Sequence, residues 1–462
     1  MVYDLISNSG GCLRVFLPSV VICVFIGINI ILSCRGESIT SLSKSDTFFI
    51  VVCFWVVVSL FSAFPFYFYD GYPIDFISSL FEATSGITTT GASVYDDVER
   101  LPNAIVLWRF ILHFIGGVGI VAIGIIALPT MRIGGMQLFS LENSDKSAKL
   151  LPRSSQIASF FLIVYVFFIG IFAALLNLAG MNGFDSICHS ISAIATGGFS
   201  TKNNGIIFYE SRTIELIIIF AMFIGGITFL EIVRLIKYGY KNFQINQQIK
   251  LYLKLTLFVP IVIIVCSFIG NEESISWNTA IDYFFEFISS FTTTGLTLSE
   301  DMVFSPFFKI ICIIISMFGA CSGSTSGGIK LFRLQILLAI VKNNIVRLIK
   351  PMNISIHKYQ GQKIDDNIII SVVSFFCLLI ITFVLSVFFI CLFSNLNCEE
   401  SLSIVCSSLF NTGISLKFFI TDSKISFSDM NYITQSILIL DMIIGRLEVI
   451  PIFIVISKTF WK

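Results

Sequence analysis

Four short segments of this chain end alike, and their spacing limits the folds that the chain can adopt. Each follows a short apolar stretch and ends in a Thr-Gly turn or a close variant. The four segments are Ser85–Gly91, Ile194–Gly198, Ser290–Gly295 and Leu409–Gly413, and we align them on Gly91, Gly197, Gly295 and Gly413, which lie roughly one hundred residues apart. This recurrence predicts four similar units, each of which contributes one turn.

The composition places these units in a membrane. Of the 462 residues, 56% are hydrophobic and 13% are charged, whereas about a quarter of the residues of a soluble domain are charged. The formal net charge is zero, so no basic surface indicates nucleic acid as a partner. The 12 cysteines include no Cys-x-x-Cys pair, and the 3 histidines are too far apart for a metal site. We therefore expect a multi-pass protein of the lipid bilayer.

Long apolar runs alternate with shorter ones. The long runs predict nine membrane spans at about residues 15–34, 48–69, 101–128, 155–180, 213–236, 251–270, 304–345, 367–394 and 430–457. The shorter runs are too short to cross a bilayer and predict re-entrant half-helices at residues 74–87, 183–195, 278–291 and 399–410. The predicted fold class is an all-α membrane protein with four tandem span, half-helix, filter and span repeats around one pore, preceded by one extra transmembrane helix. We interpret that first helix as retained, because no small-residue cleavage site follows it.

These units divide the chain into five parts. They are an N-terminal helix with a linker (1–46), repeat 1 (47–130), repeat 2 (155–238), repeat 3 with a gate loop inside the membrane (251–347), and repeat 4 (366–462). Lys and Arg concentrate in the segments that follow the first three repeats, whereas residues 271–300 contain neither. By the positive-inside rule, the basic segments face the cytoplasm and the turns face the outside.

The turns have the chemistry that a dehydrated cation requires. A Thr-Gly turn presents backbone carbonyl oxygens and a small side chain at one point, and four turns around one axis form a ring of oxygens. Each half-helix enters from the outer face, so the partial negative charge at its C-terminus points toward the pore. The sequence therefore predicts a cation pore made from one chain.

A glycine-rich stretch interrupts the second span of repeat 3. Glycine weakens a helix, and a break at membrane depth persists only inside protein or beside water. We interpret this stretch as a flexible gate below the filter, formed by Gly319, Ser322, Gly323, Ser324, Thr325, Ser326, Gly327 and Gly328. It lacks the preceding strand and the Gly-Lys-Ser/Thr ending of a phosphate-binding loop.

Arg446 lies within the last predicted span. A charged residue inside a span is costly, so it is a functional candidate, here as an electrostatic barrier in the pore. The alternative is an arginine near the inner boundary that pairs with Glu448 or Asp441. Arg109 and His113, one helical turn apart, we expect to stabilise packing near the outer boundary.

These motifs together resemble the Trk/Ktr/HKT superfamily of potassium transporters, and in particular its bacterial Trk-type translocating subunit. The resemblance covers about residues 47 to 462 and is carried by Ser85–Ala92, Leu107–Arg109, Gly116–Ile120, Leu128–Pro129, Gly134–Leu138, Ala195–Ser200, Gly323–Lys330 and Gly445–Glu448. It implies gated K⁺ uptake across the bacterial cytoplasmic (inner) membrane, with K⁺ as the transported ion and no organic cofactor. It implies a homodimer with one pore per protomer, and a cytoplasmic ring of nucleotide-binding regulatory (TrkA-like) subunits.

The resemblance also implies the site residues. By motif position, the K⁺ filter falls on Thr89, Thr90, Gly91, Ala195, Thr196, Gly197, Thr293, Thr294, Gly295, Asn411, Thr412 and Gly413. The stretch at 319–328 corresponds to the gate loop, and Arg446 corresponds to the pore arginine of the family.

Two departures from the family pattern bear on function. Trk-type chains usually have two extra N-terminal helices, and this sequence predicts one. The fourth filter of close relatives usually reads Asn-x-Gly-Pro-Gly, whereas here Ile414 and Ser415 follow Gly413. The second departure keeps open an alternative: a Na⁺-permeable or Na⁺-coupled transporter of the same superfamily.

Functions of other classes fit the sequence less well. A secondary transporter of an organic solute predicts inverted repeats, whereas these repeats run parallel. A membrane enzyme needs a catalytic set of polar residues within its spans, and the sequence contains no convincing set. We therefore expect a monovalent cation transporter and not an enzyme.

Overall fold

The structure, a computed structural model, describes most of the chain and all four turns. The described residues are 13–35, 43–126, 154–239, 246–270, 276–298, 304–350, 358–359, 362–414 and 426–461. Several residues that the sequence arguments use lie outside these ranges, namely Leu128–Pro129, Gly134–Leu138, Ser415 and the basic segment that follows repeat 1.

The regular secondary structure of the described residues is almost entirely helical. Before repeat 1 lies α1 (Leu13–Ser33), and repeat 1 contains α2 (Lys44–Ser62), α3 (Phe64–Tyr67), α4 (Phe76–Ile87) and α5 (Asn103–Ile126). Repeat 2 contains α6 (Ser154–Leu178), α7 (Gly183–Ile194), α8 (Arg212–Gly225) and α9 (Phe229–Tyr238). Repeat 3 contains α10 (Gln247–Gly270), α11 (Trp277–Phe291), α12 (Pro306–Ser316) and α13 (Leu331–Ile349), and repeat 4 contains α14 (Asp366–Phe393), α15 (Cys398–Leu409), α16 (Tyr432–Arg446) and α17 (Ile450–Ile456).

The remaining regular elements are small. Short 3-10 helices cover Val98–Arg100, Gly205–Tyr209 and Phe427–Asp429, and a two-stranded antiparallel ladder pairs β1 (Lys358–Tyr359) with β2 (Gln362–Lys363). The predicted all-α membrane fold with four tandem repeats is therefore confirmed.

Six described helices are long and apolar enough to cross a membrane. They are found at Arg14–Ser33, Ser45–Tyr67, Asn103–Val121, Ala158–Leu178, Gln247–Cys266 and Asp366–Phe393. A seventh candidate is the pair α8 and α9, which meet at an angle of 92°. The two other predicted spans are interrupted, the one in repeat 3 by the glycine-rich stretch and the one in repeat 4 near its end.

The sequence predicted continuous spans at 213–236 and 430–457, and both expectations are wrong. In repeat 2, the break follows the pair Gly225 and Gly226, which weakens the helix. In repeat 4, Glu448 and Val449 both have positive φ, 59° and 64°, and Pro451 in the first turn of α17 has no N–H to donate. These two breaks face the glycine-rich loop of repeat 3, as the site geometry below makes clear.

The half-helices α4, α7, α11 and α15 lie close to their predicted positions. They contain 12, 12, 15 and 12 residues, which at about 1.5 Å per residue spans well under the roughly 30 Å of a bilayer core. Side-chain caps fix three of their starts: the Asn182 side chain accepts from Asp185 N at 2.8 Å, the Ser276 hydroxyl accepts from Thr279 N at 3.2 Å, and the Glu400 carboxylate accepts from Asn397 N at 2.8 Å.

The four repeats close into a ring. Within each repeat, the half-helix packs between the first and the second span. Between repeats, the second span of one packs against the half-helix of the next: α5 on α7, α8 on α11, α12 on α15, and α16 on α4. Because the last contact returns to repeat 1, the four turns that follow the half-helices surround a common axis.

Candidate functional site

The four turns have the same backbone conformation. The residue after each helix cap is left-handed, with φ of 53° at Thr89, 51° at Thr196, 55° at Thr293 and 53° at Asn411. Two residues later comes a glycine that also has positive φ, 87° at Gly91, 88° at Gly198, 76° at Gly295 and 61° at Gly413. A β-branched residue rarely adopts positive φ, so three of the four turns hold a threonine in a strained conformation.

The same pair of hydrogen bonds ends every half-helix. The amide two residues after the cap donates to a carbonyl five residues back: Thr90 to Ser85 at 2.9 Å, Gly197 to Ser192 at 2.8 Å, Thr294 to Ser289 at 2.9 Å and Thr412 to Ser407 at 2.9 Å. The left-handed residue itself donates three residues back in each turn. This is the Schellman motif, which normally carries glycine at the left-handed position.

The structure corrects the predicted register of the second turn. The sequence analysis aligned Ala195, Thr196 and Gly197 with Thr89, Thr90 and Gly91. Ala195 is instead the right-handed helix cap and corresponds to Thr88. The second turn is therefore Thr196, Gly197 and Gly198. The error arose because two adjacent glycines follow Thr196, and composition alone does not indicate which one takes the positive φ.

Close packing of neighbouring turns confirms this register. A Cβ added to Gly91 would lie 2.3 Å from the Gly197 oxygen, and one on Gly198 would lie 2.4 Å from the Thr294 oxygen. A Cβ on Gly295 would lie 1.8 Å from the Thr412 oxygen, and one on Gly413 would lie 1.8 Å from the Thr90 oxygen. Each glycine thus makes room for a carbonyl of the next turn, and the four contacts form a closed cycle that we call the ring.

Backbone oxygens of the ring have no hydrogen-bond donor within the described residues. This holds for the two residues before each ring glycine, which are also buried: Thr89 and Thr90, Thr196 and Gly197, Thr293 and Thr294, Asn411 and Thr412. Buried carbonyls are almost always paired with protein, water or an ion. These eight carbonyls have no partner among the described residues, which makes them candidate ligands for a cation.

Glycines in the second spans allow the half-helix ends to come close. A Cβ on Gly116 would lie 1.9 Å from the Ile87 oxygen, and one on Gly445 would lie 1.9 Å from the Leu409 oxygen. These contacts place the C-terminal ends of the half-helices, with their partial negative charge, directly against the helices that surround the axis.

Backbone hydrogen bonds join the two ends of the glycine-rich loop Gly319–Gly328, and further hydrogen bonds order its interior. Gly319 N donates to Ile329 O at 2.9 Å, and Ile329 N donates to Met317 O at 2.9 Å. Inside the loop, Ala320 N donates to Ser326 Oγ at 3.2 Å, and the Ser324 and Ser326 hydroxyls are 2.8 Å apart. The predicted interruption of the third repeat is thus a compact structure stabilised by its own hydroxyl groups.

The loop contacts repeat 2 at both the turn and the helix break. Thr325 Oγ1 donates to Ile194 O at 2.9 Å and to Gly225 O at 3.1 Å. At the break, Cys321 N donates to Gly226 O at 3.2 Å, and Thr228 Oγ1 donates to Ser322 O at 2.8 Å. The loop therefore satisfies backbone groups that the break in the span leaves free.

The loop also contacts the third and fourth turns. Gly327 N donates to Thr293 Oγ1 at 2.6 Å. A Cβ on Gly327 would lie 2.6 Å from the Phe410 oxygen and 2.9 Å from the Asn411 Cβ. Thr325 and Gly327 thus lie beside the left-handed residues of three turns.

Arg446 holds the loop from the opposite side. It is buried, and its guanidinium donates to Thr325 O at 3.0 Å and to Gly116 O at 3.3 Å. It does not pair with Glu448 or Asp441, the alternative that the sequence left open: Glu448 bonds to Arg333, and Asp441 accepts from Ser386 Oγ at 2.7 Å. Arg446 therefore links repeats 1, 3 and 4 through backbone carbonyls, next to the loop.

Arg109 and His113 contact the turns and do more than pack. Arg109 donates to Glu82 at 2.6 Å in a fully buried ion pair, and its guanidinium lies 3.9 Å from the centre of the Phe199 ring. His113 Nδ1 lies 2.8 Å from Gly86 O, and its ring stacks on Phe199. Both residues therefore position the segment that follows the second turn against the first half-helix.

Sequence reasoning missed Gly198, Glu82 and a serine signal that would have given the correct register. A serine lies four residues before each left-handed residue: Ser85, Ser192, Ser289 and Ser407. Alignment on these serines, instead of on the glycines, places Gly198 opposite Gly91.

Comparisons with known proteins agree with this architecture. The model of a family described as a cation transport protein, TrkH, matches residues 13–461. The chain is 34% identical over 432 residues to the Trk system potassium uptake protein TrkG of Escherichia coli K12, covering 91% of this chain and 86% of that protein. It is 30% identical over 431 residues to TrkH of the same strain, covering 93% and 87%.

One solved structure shares the fold over its whole length. The crystal structure of the potassium transporter TrkH from Vibrio parahaemolyticus matches with a TM-score of 0.89 and 26% identity, covering 100% of this chain and 95% of that chain. The four turns, the glycine-rich loop and Arg446 all lie within the matched region.

Proposed function

The chain belongs to the TrkH family of cation transport proteins, and we propose that it carries K⁺ across the bacterial cytoplasmic membrane through the ring. The observation that carries this proposal is the closed cycle of carbonyl and glycine contacts, in which four turns of one conformation surround one axis. The relatives' names, which describe potassium uptake and transport, support K⁺ as the ion.

In this mechanism the ring replaces the hydration shell of the ion. The carbonyl oxygens of the two residues before each ring glycine supply the ligands: Thr89, Thr90, Thr196, Gly197, Thr293, Thr294, Asn411 and Thr412. The C-terminal ends of the half-helices favour a positive charge in the cavity below. The ring glycines keep neighbouring turns close enough for all four to contact one ion.

The glycine-rich loop acts as the gate. Its hydrogen bonds to the second and third turns and to the break in repeat 2 hold it directly below the ring, where it blocks the path of the ion. Opening requires the loss of these bonds and movement about the glycines of the loop. The breaks in repeats 2 and 4 leave room for this movement without unfolding a continuous helix.

Arg446 has two roles in this proposal. Its positive charge near the axis repels a cation that has passed the ring. Its hydrogen bond to Thr325 O also stabilises the closed position of the loop. Loss of that bond removes one of the contacts that hold the loop in its closed position.

The family resemblance extends the proposal to partners and orientation. We propose a homodimer with one pore per protomer, in which the ring faces the outside. A cytoplasmic ring of nucleotide-binding subunits regulates the loop, in keeping with relatives that are named as parts of a Trk system. The protein acts as a transporter, without catalysis and without an organic cofactor.

A Na⁺-permeable transporter is the second candidate, and the fourth turn favours it. Asn411 occupies the left-handed position that threonine occupies in the other three turns, and its Nδ2 donates to Thr90 Oγ1 at 3.0 Å and to Met442 O at 2.9 Å. This turn has the same backbone conformation as the others, but a side-chain amide holds it where the other turns have a threonine.

Uptake in cells tests both candidates. The chain is expressed in a bacterium that lacks its own potassium uptake systems, with and without the native regulatory subunit, and growth on low K⁺ is measured together with Rb⁺ and Na⁺ uptake. The proposal predicts rescue and Rb⁺ uptake that exceeds Na⁺ uptake. Na⁺ uptake without rescue supports the second candidate, and absence of both in the presence of the partner contradicts the proposal.

A further inference from the structure

Three of the four half-helices carry a polar side chain at the same position, seven residues before the left-handed residue. The four equivalent residues are Glu82, His189, Glu286 and Ile404. The Glu82 carboxylate accepts from Val94 N at 3.0 Å, and the Glu286 carboxylate accepts from Leu298 N at 2.7 Å. Each bond joins two residues that lie twelve positions apart, and connects the half-helix to the chain that follows the turn.

The second repeat makes the same connection with a histidine. His189 Nε2 lies 3.3 Å from Ser200 Oγ. Ser200 corresponds to Ser93, whose hydroxyl donates to Glu82 at 3.1 Å. In repeat 4 the equivalent residue is Ile404, an apolar side chain that forms no hydrogen bond. We call these side-chain bonds from half-helix to outgoing chain the struts.

The serine four residues before the left-handed residue supplies a second strut in two repeats. Ser192 Oγ donates to Phe199 O at 2.9 Å, and Ser289 Oγ donates to Leu296 O at 2.5 Å. The Ser85 and Ser407 hydroxyls have no hydrogen-bond partner within the described residues. Turns 2 and 3 therefore have both struts, turn 1 has only that of Glu82, and turn 4, whose outgoing chain the structure describes only to Ile414, shows neither.

Because neighbouring turns of the ring are in contact, the difference in struts between turns 3 and 4 affects the oxygens that face the ion. Gly295 of turn 3 packs against the Thr412 oxygen of turn 4, so the position of turn 3 sets how far that oxygen can approach the axis. A ring that discriminates between ions must hold its oxygens in place, and a displacement of about 1 Å is enough to change such a site. Turn 4 is positioned by both of its neighbours, by turn 3 at the Thr412 oxygen and by turn 1 through the Asn411 amide.

We propose that Glu286 and Ser289 are specificity-determining positioning residues, which hold turn 3 so that the ring selects K⁺ over Na⁺. This inference rests on the proposed transport function. Neither side chain contacts the ion; both act through the outgoing chain at Leu296 and Leu298. Within the described residues Glu286 forms no ion pair, so its replacement does not leave a buried cation without a partner.

Serine-to-alanine variants give the matched test. Ser289→Ala removes one strut and leaves the backbone bonds of the half-helix intact, whereas Ser407→Ala makes the same change where the hydroxyl has no partner. Rb⁺ and Na⁺ uptake are measured for both in the potassium-uptake-deficient strain. We expect Ser289→Ala to lower the ratio of Rb⁺ to Na⁺ uptake by about fivefold, as the loss of one buried hydrogen bond suggests. Ser407→Ala leaves the ratio unchanged.

A second pair of variants tests the carboxylate. Glu286→Gln retains an oxygen that can accept from Leu298 N, so it keeps the wild-type ratio. Glu286→Leu removes the acceptor and lowers the ratio more than Ser289→Ala does, and Ile404→Leu is its control in repeat 4. If Glu286→Leu does not accumulate in the membrane, the serine pair still decides the question.

The outcomes separate this inference from the proposed function. If wild-type protein takes up Rb⁺ selectively and Ser289→Ala does so equally well, the struts do not determine selectivity. The same conclusion follows if Ser407→Ala lowers the ratio as much as Ser289→Ala. If wild-type protein shows no preference for Rb⁺, the proposed function fails and the inference fails with it.

Discussion

Replacement of Gly295 by alanine is the sharpest perturbation of the ring. The added Cβ would lie 1.8 Å from the Thr412 oxygen and 2.9 Å from its carbonyl carbon. Both are backbone atoms, so no side-chain rotation relieves the contact. The Thr412 carbonyl must move until the separation exceeds 3.0 Å, a displacement of more than about 1 Å that takes one oxygen away from its neighbours.

The positive φ of Gly295 adds backbone strain to the alanine variant, and a control variant can measure this strain separately. At φ of 76°, alanine is disfavoured by about 1–2 kcal/mol relative to glycine. Gly180 also has positive φ, 105°, but a Cβ there meets nothing within 4 Å. Gly180→Ala therefore carries backbone strain without displacing any atom of the ring.

Uptake ratios distinguish the two effects. We expect Gly295→Ala to reduce the ratio of Rb⁺ to Na⁺ uptake at least about tenfold, equivalent to about 1.4 kcal/mol of lost discrimination. Gly180→Ala keeps the wild-type ratio, and membrane abundance is measured for both. An unchanged ratio in well-expressed Gly295→Ala, or an equal loss in Gly180→Ala, refutes the assignment of this turn to the selective ring.

Three further variants test the loop and the buried charges. Arg446→Ala should raise Rb⁺ uptake about tenfold, because an electrostatic barrier of about 1.4 kcal/mol or more disappears. Arg446→Lys retains the positive charge, so its uptake should stay near that of the wild type. Equal uptake by the wild type and both variants contradicts the barrier. Thr325→Val retains the side-chain shape but loses the one hydroxyl proton that the carbonyls of Ile194 and Gly225 share, a hydrogen bond worth about 1 kcal/mol, so uptake without the regulatory subunit should increase, and a fully silent variant argues against the gate. Arg109→Met leaves the Glu82 carboxylate buried without its ion pair, which should destabilise the protein by about 3–5 kcal/mol; thermal unfolding of the purified protein measures this, and an unchanged Tm contradicts it.

The half-helices were predictable because physical limits determine both of their ends. An apolar run too short to cross a bilayer must turn back, and the change from apolar to small and polar residues marks where it does so. For α11 the prediction was 278–291 and the helix is Trp277–Phe291. The chain thus encodes the architecture of the repeats locally.

The register of the second turn cannot be determined from its glycines alone. Gly197 and Gly198 can both adopt positive φ, and the choice depends on which of them packs against the Thr294 oxygen in the next repeat. That contact joins residues almost one hundred positions apart, so the two glycines alone do not indicate which of them it involves. The serines four residues before the left-handed positions are the local signal that tracks it, since their backbone carbonyls accept the bonds that end each half-helix.

The helix breaks were missed for a related reason. Gly225 and Gly226 are compatible with a continuous apolar span, and only the loop from repeat 3 provides donors for the carbonyl that the break exposes, as Cys321 N does for Gly226 O. The sequence predicted that Arg446 lies in the last span, but it did not indicate which groups its guanidinium contacts. Its bonds to Thr325 and Gly116 require three repeats to be assembled.

The most direct test of the central claim is to locate the ion. A crystal structure of the protein in Rb⁺, recorded at a wavelength where rubidium scatters anomalously, reports the position of a bound monovalent cation. The account predicts a peak on the axis of the ring, within coordination distance of the carbonyl oxygens of Thr90, Gly197, Thr294 and Thr412. A well-ordered ring without a peak, or a peak only at another site, contradicts the claim that these four turns form the ion-selective filter.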